Sequence, residues 1–384
     1  MVNRQKVRAW RSSPAAVAWI FLSLATAGGA AGCAQSSEGD DPAPEAAPVL
    51  VSVTATAETT PVAEPGDVAD DPAFWLHPTD PSASLIIGTA KDEGLYVYDL
   101  AGNVVQQLRE GRMNNVDLRY GFTLGGEGVD IVAATEQDNV LVALYAIDAS
   151  GTLSTISDGP QVSRFESISG LCMYRSAESG RFYVFATGAA SVVRQWELVE
   201  RNGRVGITHV RDLQLQSEAE GCTADDNAAA LYVAEEDLGL WRYNAEPVEN
   251  DEGTLIATVE GIPLLQDDLE GVSIYHGESG NGYLIVSSQE NNTFAIFDRE
   301  GDNTYIGSFE IADGAGAAID GASDSDGVHV ISTPLGSTFP EGLLIVQDGE
   351  NLLPAENQNF KLVSWSSIAG PMGLQSYTGW NPRD

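Results

Sequence analysis

The sequence predicts an all-β fold, a six-bladed β-propeller, and three observations carry that prediction. Six segments of the chain align with one another in order. Each repeat is roughly 50 residues long and holds about four short apolar strands, the size of one propeller blade. No stretch keeps a helical period with caps. The alternation of apolar and polar residues and the Gly/Ser/Asp turns are those of antiparallel strands.

The elements follow in chain order. Residues 1–33 read as an export signal: Arg4, Lys6, Arg8 and Arg11 precede the apolar run "AAVAWIFLSLATAGGAAG", which ends at Cys33. "AAGC" is similar to a lipoprotein signal box, with Ala30 where leucine is usual, so Cys33 is expected to be acylated. The expected location is the bacterial cell envelope, at the outer membrane, or outside the cell if Cys33 is not lipidated. Residues 34–48 are poor in apolar side chains and rich in Pro, Ala and acid, the composition of a flexible tether.

The propeller is expected over 49–384. Its repeats begin "DDPAFWLHPTDP" (70), "DLRYGFTLGGEG" (117), "SGLCMYRSAESG" (169), "EGCTADDNAAAL" (220), "EGVSIYHGESGN" (270) and "DGVHVISTPLGS" (326). "VLVSVTATAE" (49–58) is expected to pair with the last blade, because closing the ring removes exposed strand edges. Cys172 and Cys222 open neighbouring repeats at nearly the same phase. A disulfide and two buried thiols are both open to them.

Charge narrows the function. The chain carries 19 basic against 56 acidic residues, a net charge of −37, and the folded part has only Lys91 and Lys361 as lysines. Such a surface repels nucleic acid, which excludes that class of partner. Each repeat opens on a polar or acidic residue. If these heads sit at one end of the inner strands, Asp70, Asp71, Asp117, Glu220, Asp268, Glu270 and Asp326 converge on one face of the ring. So much like charge in one place implies neutralising cations.

With oxygen donors, including Asn114 and Asn115, and only four histidines, the expected ion is Ca²⁺. "DGASDSDG" (320–327) offers Asp320, Asp324 and Asp326 but has Thr333 where an EF-hand loop needs its bidentate Glu. No GxSxG elbow, CxxxxxR loop or RHGxRxP motif occurs. Water activated by metal is then the nucleophile left to a hydrolase.

"DDPAFWLHPTDP", "NNVDLRYGF" (114–122), "LYVAEEDLGLWRYNAEP" (231–247), "DLEGVSIYHGESGNGYLIVSSQ" (268–289) and "QDGENLLPAENQNFKLVSW" (347–365) closely resemble the β-propeller phytases, from about Glu58 to Trp365. The resemblance implies a calcium-dependent phosphomonoesterase acting on inositol hexakisphosphate or related esters, and a monomer is expected. It implies calcium ligands at Glu58, Asp70, Asp71, Asn114, Glu220, Glu236, Asp268, Glu270, Asp320 and Asp326. Asp348 and Asn351 are implied at a structural calcium. The same comparison gives Asp70, Asp71, Glu220, Asp268 and Glu270 catalytic roles and places Lys91 on substrate phosphate. Arg119 is a further candidate for binding phosphate, with orientation of Asp117 as its alternative role.

Four positions depart from the family pattern: Asp92, Gln137, Ser169 and Ala189 stand where basic, amide-arginine or phenolic side chains are usual. They thin the positive charge for neighbouring phosphates, so the substrate could be less phosphorylated than phytate. The alternative reading is a calcium-stabilised propeller that binds a ligand or envelope partner without catalysis. His77 is read as a turn residue, and Trp75, Trp196, Trp241 and Trp365 as blade core.

Overall fold

The computed structural model describes residues 49–384 apart from 315 and 317. The leader, the tether and Cys33 lie outside the described residues. Six sheets, antiparallel apart from one added strand, follow one another along the chain and form the blades of a propeller. Their inner strands are Ala69–Trp75, Met113–Leu124, Ile168–Arg175, Ala219–Asp225, Leu269–His276 and Val328–Ile331.

Apolar side chains on both faces of each blade pack against the next blade. Trp75, Tyr98, Phe185, Phe294 and Trp365 are among the largest fully buried groups. Truncating one such aromatic to alanine costs about 3–5 kcal/mol through lost burial and a residual cavity. Trp196 is buried as expected, and Trp241 is partly buried. His77 takes its turn role, its Nδ1 accepting from the Thr79 and Asp80 N–H groups.

Ring closure differs from the expectation in one respect. The segment 49–58 is shared between two blades. Leu50–Val53 lies parallel to Tyr305–Ile311 and gives blade 5 a fifth strand. Only Ala57–Glu58 joins blade 6, antiparallel to Asn359–Ser364. A second correction concerns helix: Trp365–Met372 is α-helical, buries Trp365, Ile368 and Ala369, and ends at Gly373 in a left-handed conformation (φ 67°). Eight residues make barely two turns, too few to show a period in the sequence.

The tail after this helix crosses one end of the channel. Trp380 stacks on His276, and Arg383 pairs with Asp130 at 2.7 Å. Cys172 and Cys222 form a disulfide that joins the inner strands of blades 3 and 4. Among the described residues no helix is long and apolar enough to cross a membrane.

Candidate functional site

The heads of the inner strands are built by one repeated irregularity. In blades 1 to 5 the pairing register skips where Asp70–Asp71, Asn114–Asn115, Ser169–Gly170, Glu220–Gly221 and Glu270–Gly271 fall. Two residues of the inner strand then oppose one on its neighbour, which is a β-bulge. A bulge bends the strand and re-aims a side chain.

The opposing residue carries a hydroxyl in four blades: Thr89, Thr135, Thr187 and Ser287. Those hydroxyls take over bonds that the broken ladder leaves open. Thr89 Oγ1 accepts from Asp71 N–H (2.8 Å), Thr135 Oγ1 from Asn115 N–H (3.0 Å) and Thr187 Oγ1 from Gly170 N–H (2.8 Å). Thr135 also donates to the Ser169 carbonyl of the next blade (2.6 Å), and Ser287 to that of Ser325 (2.7 Å).

Glycine completes the ring. A Cβ on Gly221 would stand 1.8 Å from the Glu270 carbonyl oxygen, and one on Gly327 would stand 2.4 Å from Asp71 Cα. Neither approach is possible for a residue with a side chain, so these glycines bring the carboxylates of adjacent blades together.

The result is a cleft of about 690 Å³ on the mouth face, lined among others by Asp67, Lys91, Glu220, Glu270, Asp326 and Gln358. Carboxylate oxygens of Glu220, Glu236 and Glu270 lie within 4.8 Å of one another. Lys91 Nζ stands 2.7 Å from Asp70 Oδ2, 2.9 Å from Asp67 Oδ1 and 3.2 Å from Asp326 Oδ2. Asn114 donates to Glu220 Oε1 (2.6 Å) and to Asp70 Oδ1 (3.2 Å), and Gln137 donates to Asn114 Oδ1 (2.5 Å). Gln289 donates to Asp326 Oδ1.

Burial and mutual repulsion show in the acidities. Burial pushes the Asp70 carboxyl up to about 7 against the pull of Lys91. Burial and the nearby Asp326 raise Glu220 to about 7, and burial and Asp70 raise Asp326 to about 8. Glu270 lies well above the usual carboxylate range, from burial and then Glu220. Its Oε2 is buried and has no hydrogen-bond partner among the described residues. A carboxylate oxygen so placed is costly unless a cation completes it. A hard divalent ion held by oxygen fits this donor set.

Not every expected residue joins the central carboxylate group. Asp71 is buried and turned toward blade 2, where its Oδ2 accepts from Val116 N–H (3.0 Å). Asp268 precedes its strand with a left-handed backbone (φ 60°), and its carboxylate is not in the group formed by Glu220, Glu236 and Glu270.

Asp117 lies past the bulge, down the channel, where it accepts from Met173 N–H and pairs with Arg119. Arg119 lines the separate channel cavity of about 390 Å³. Its guanidinium is taken up by Asp117 (2.9 Å), Asp226 (3.0 Å) and the Leu118, Met173 and Ala224 carbonyls. The side chain is fully engaged inside the channel, an arrangement that fits the alternative role, orientation of Asp117.

Glu58, Asp320, Asp348 and Asn351 form a second group around one ammonium. Lys361, fully buried, places Nζ 2.7 Å from Glu58, 2.6 Å from Asp320, 3.0 Å from Asp348 and 3.4 Å from Asn351. Asp320 also accepts from the Leu352 and Leu353 N–H groups, so this cluster fixes the loop that forms one wall of the mouth. Neither Lys361 at the centre of this group nor Gln358 was singled out from the sequence. A lone lysine in an apolar strand, "NFKLVS", is the signal that could have pointed to the first. Of the four departures, Asp92 is paired with Arg112 at the rim (2.6 Å) and Gln137 is bonded to Asn114.

Fold and site together define a six-bladed propeller whose mouth is a carboxylate-lined cleft able to hold metal ions. The phytase family model matches residues 25–378. The 3-phytase of Bacillus subtilis (strain 168) is 43% identical over 329 residues, covering 84% of this chain and 85% of that protein. The chain belongs to the phytase family, and with it to the phosphoric monoester hydrolases. A solved structure of BBS1N in complex with ARL6DN, soaked with lead, aligns at a TM-score of 0.46 and 8% identity over 76% of this chain and 78% of that one. A likeness at that level carries no argument.

Proposed function

We propose that the protein hydrolyses phosphate monoesters of phytate, with calcium ions held in the mouth. The observation that carries this is the mouth itself. Asp70, Glu220, Glu236, Glu270 and Asp326 gather there with Lys91 as the one basic side chain of the lining. Calcium, when bound, supplies the positive charge that draws an anionic ester in, polarises its phosphoryl oxygens and acidifies water.

The chain's own groups do the rest. Glu220, Glu236, Glu270, Asp70 and Asp326 would hold the ions, and Asn114 orients two of these carboxylates through its amide. Asp71 supports the bulge from behind through Val116. Lys91, held between Asp67, Asp70 and Asp326, is placed to donate to a phosphate oxygen once the ions satisfy those carboxylates. In the reaction a water oxygen bonds to phosphorus and the inositol oxygen leaves with a proton.

The group around Lys361 is assigned a supporting role, holding the mouth loop in place. Export, with anchoring through acylated Cys33, belongs to the same proposal. The Cys172–Cys222 disulfide supports it, since such bonds persist in oxidising compartments.

The test is phosphate release from phytate and from a simple aryl phosphate, with calcium and after chelation. Turnover that disappears on chelation and returns with calcium is the expected result. No release from either ester at any calcium level overturns the hydrolase reading, and equal release without calcium overturns the metal's role.

A further inference from the structure

Blade 1 differs from the other blades in how its head is fastened. In every blade the chain enters the inner strand after leaving the outer side of the preceding blade. Blade 1 is entered likewise from blade 6, whose outer strand is Ala57–Glu58, but that strand and the rest of blade 6 come from opposite ends of the chain. Its inner strand is entered from the 59–68 segment, after Ala57–Glu58 has paired with blade 6.

At this seam a side chain from blade 6 takes the two amides that lead into the bulge. Gln358 Oε1 accepts from both Val68 N–H (2.7 Å) and Ala69 N–H (2.9 Å). Its Nε2 donates to the Gly349 carbonyl (3.2 Å) at the start of the mouth loop. Thr89 then takes the next available amide, that of Asp71. The Asp70–Asp71 bulge is thus gripped just ahead by Gln358 and from behind by Thr89.

The grip extends to the Lys361 group. Gly349 N–H donates to the Ser323 carbonyl (2.7 Å), and Ser323 N–H donates to Asp348 Oδ1 (3.1 Å). Asp348 Oδ2 in turn lies 3.0 Å from Lys361 Nζ. One amide side chain therefore joins the strand that presents Asp70 to the loop that walls the cleft.

We infer that Gln358 is a positioning residue for the mouth. By fixing Val68 and Ala69 against the 349–358 loop, it sets the place of the Asp70 carboxylate relative to Glu220 and Asp326. It acts through the strand that carries Asp70, and the inference rests on the reading that the mouth carboxylates hold calcium. A group that orients a metal ligand characteristically changes affinity or activity by about 10–100-fold when removed.

The test uses the full chain and three proteins: wild type, Gln358→Met and Gln358→Glu. Methionine keeps the length of the side chain and loses both polar contacts. Glutamate keeps an oxygen that can accept from Val68 and Ala69. Calcium binding is measured by titration calorimetry, melting temperature without metal by calorimetric scan, and kcat and KM on phytate.

Q358M is expected to bind mouth calcium about 10–100-fold more weakly, with kcat falling more than KM rises and the metal-free melting temperature little changed. Q358E is expected to recover most of the loss. Wild-type affinity in Q358M overturns the inference alone. A loss that Q358E does not recover, or one matched by collapse of the metal-free fold, overturns it as well. A wild type that binds no calcium takes down both this inference and the reading beneath it.

Discussion

The two ends of the channel use the same residue types in opposite ways. At the end beneath the tail, acids have basic partners from this chain: Asp117 and Asp226 share Arg119, Asp225 binds Arg299 at 2.5 Å, and Asp130 binds Arg383 at 2.7 Å. Burial would push the Asp225 carboxyl up, yet the Arg299 hydrogen bonds hold it below its ordinary value. At the mouth Lys91 is the one basic side chain in the lining, and Glu270 is left with an orphaned oxygen. Net charge alone does not separate these ends. What separates them is whether the fold provides the counter-charge or leaves it to be supplied from solution.

The largest expected effect breaks this comparison at the mouth. Glu220→Gln removes one of the three grouped carboxylates and should lower calcium-dependent phosphate release by at least about 100-fold, since a metal's charge stabilisation amounts to several kcal/mol. Its metal-free form should be no less stable than wild type, because a repelled buried charge is gone. Asp226→Asn at the far end should leave kcat within a few-fold. Equal losses of activity in the two variants would show that the mouth is not special.

Next comes the far end. Arg119→Met leaves Asp117 and Asp226 in the channel without their cation, which costs about 3–5 kcal/mol. Urea denaturation of the metal-free protein measures it, and the folded enzyme's KM should not move. A raised KM with unchanged stability would place Arg119 at the substrate.

A smaller loss is expected at the disulfide. Cys172 and Cys222 lie 50 residues apart, and replacing both with alanine should cost about 2–4 kcal/mol by freeing the unfolded chain. Calcium affinity should be unaffected, although Cys222 is only two residues from Glu220. A fall in affinity would mean that the blade 3–blade 4 junction helps set the mouth.

The blades were legible in the sequence because each repeat carries its own alternation and turns. The heads of blades 1, 4 and 5 were legible because they carry acid; the head of blade 2 is Asn114–Asn115, and Asp117 lies past it. Which head residue faces the mouth was not legible. Asp70 and Asp71 are adjacent and chemically alike, yet the bulge turns one toward Lys91 and the other toward Val116. A bulge is set by pairing with the neighbouring strand, which the order of residues does not display. The same holds for Arg119, whose five partners come from three blades. The seam residue Gln358 lies within the "QDGENLLPAENQNFKLVSW" stretch, yet nothing in that stretch shows its part, because its contacts are 289 and 290 positions away.

The smallest effect at neutral pH sharpens the comparison by its sign. His276 and His329 line the channel away from the mouth, and burial lowers them to about 3 and about 4 from an ordinary 6.5. Beyond burial, Arg299 and Arg119 also hold His276 down while Asp225 pulls it up; Arg119 and Asp117 oppose each other likewise at His329. A histidine with a depressed folded value stays neutral while the unfolded chain takes up its proton. Its contribution to stability is whole above pH 6.5 and is lost as pH falls toward about 4. The mouth carboxyls, raised by burial, act in the other direction, so protonation of Asp70 and Asp326 between pH 8 and 4 stabilises the metal-free fold. His329→Gln should therefore leave stability unchanged at pH 8 and reduce the loss between pH 6.5 and 4, read from urea midpoints across pH. An unchanged acid limb in that variant would mean that His329 is protonated as readily in the channel as in the unfolded chain, and that this end is not neutral by design of the fold.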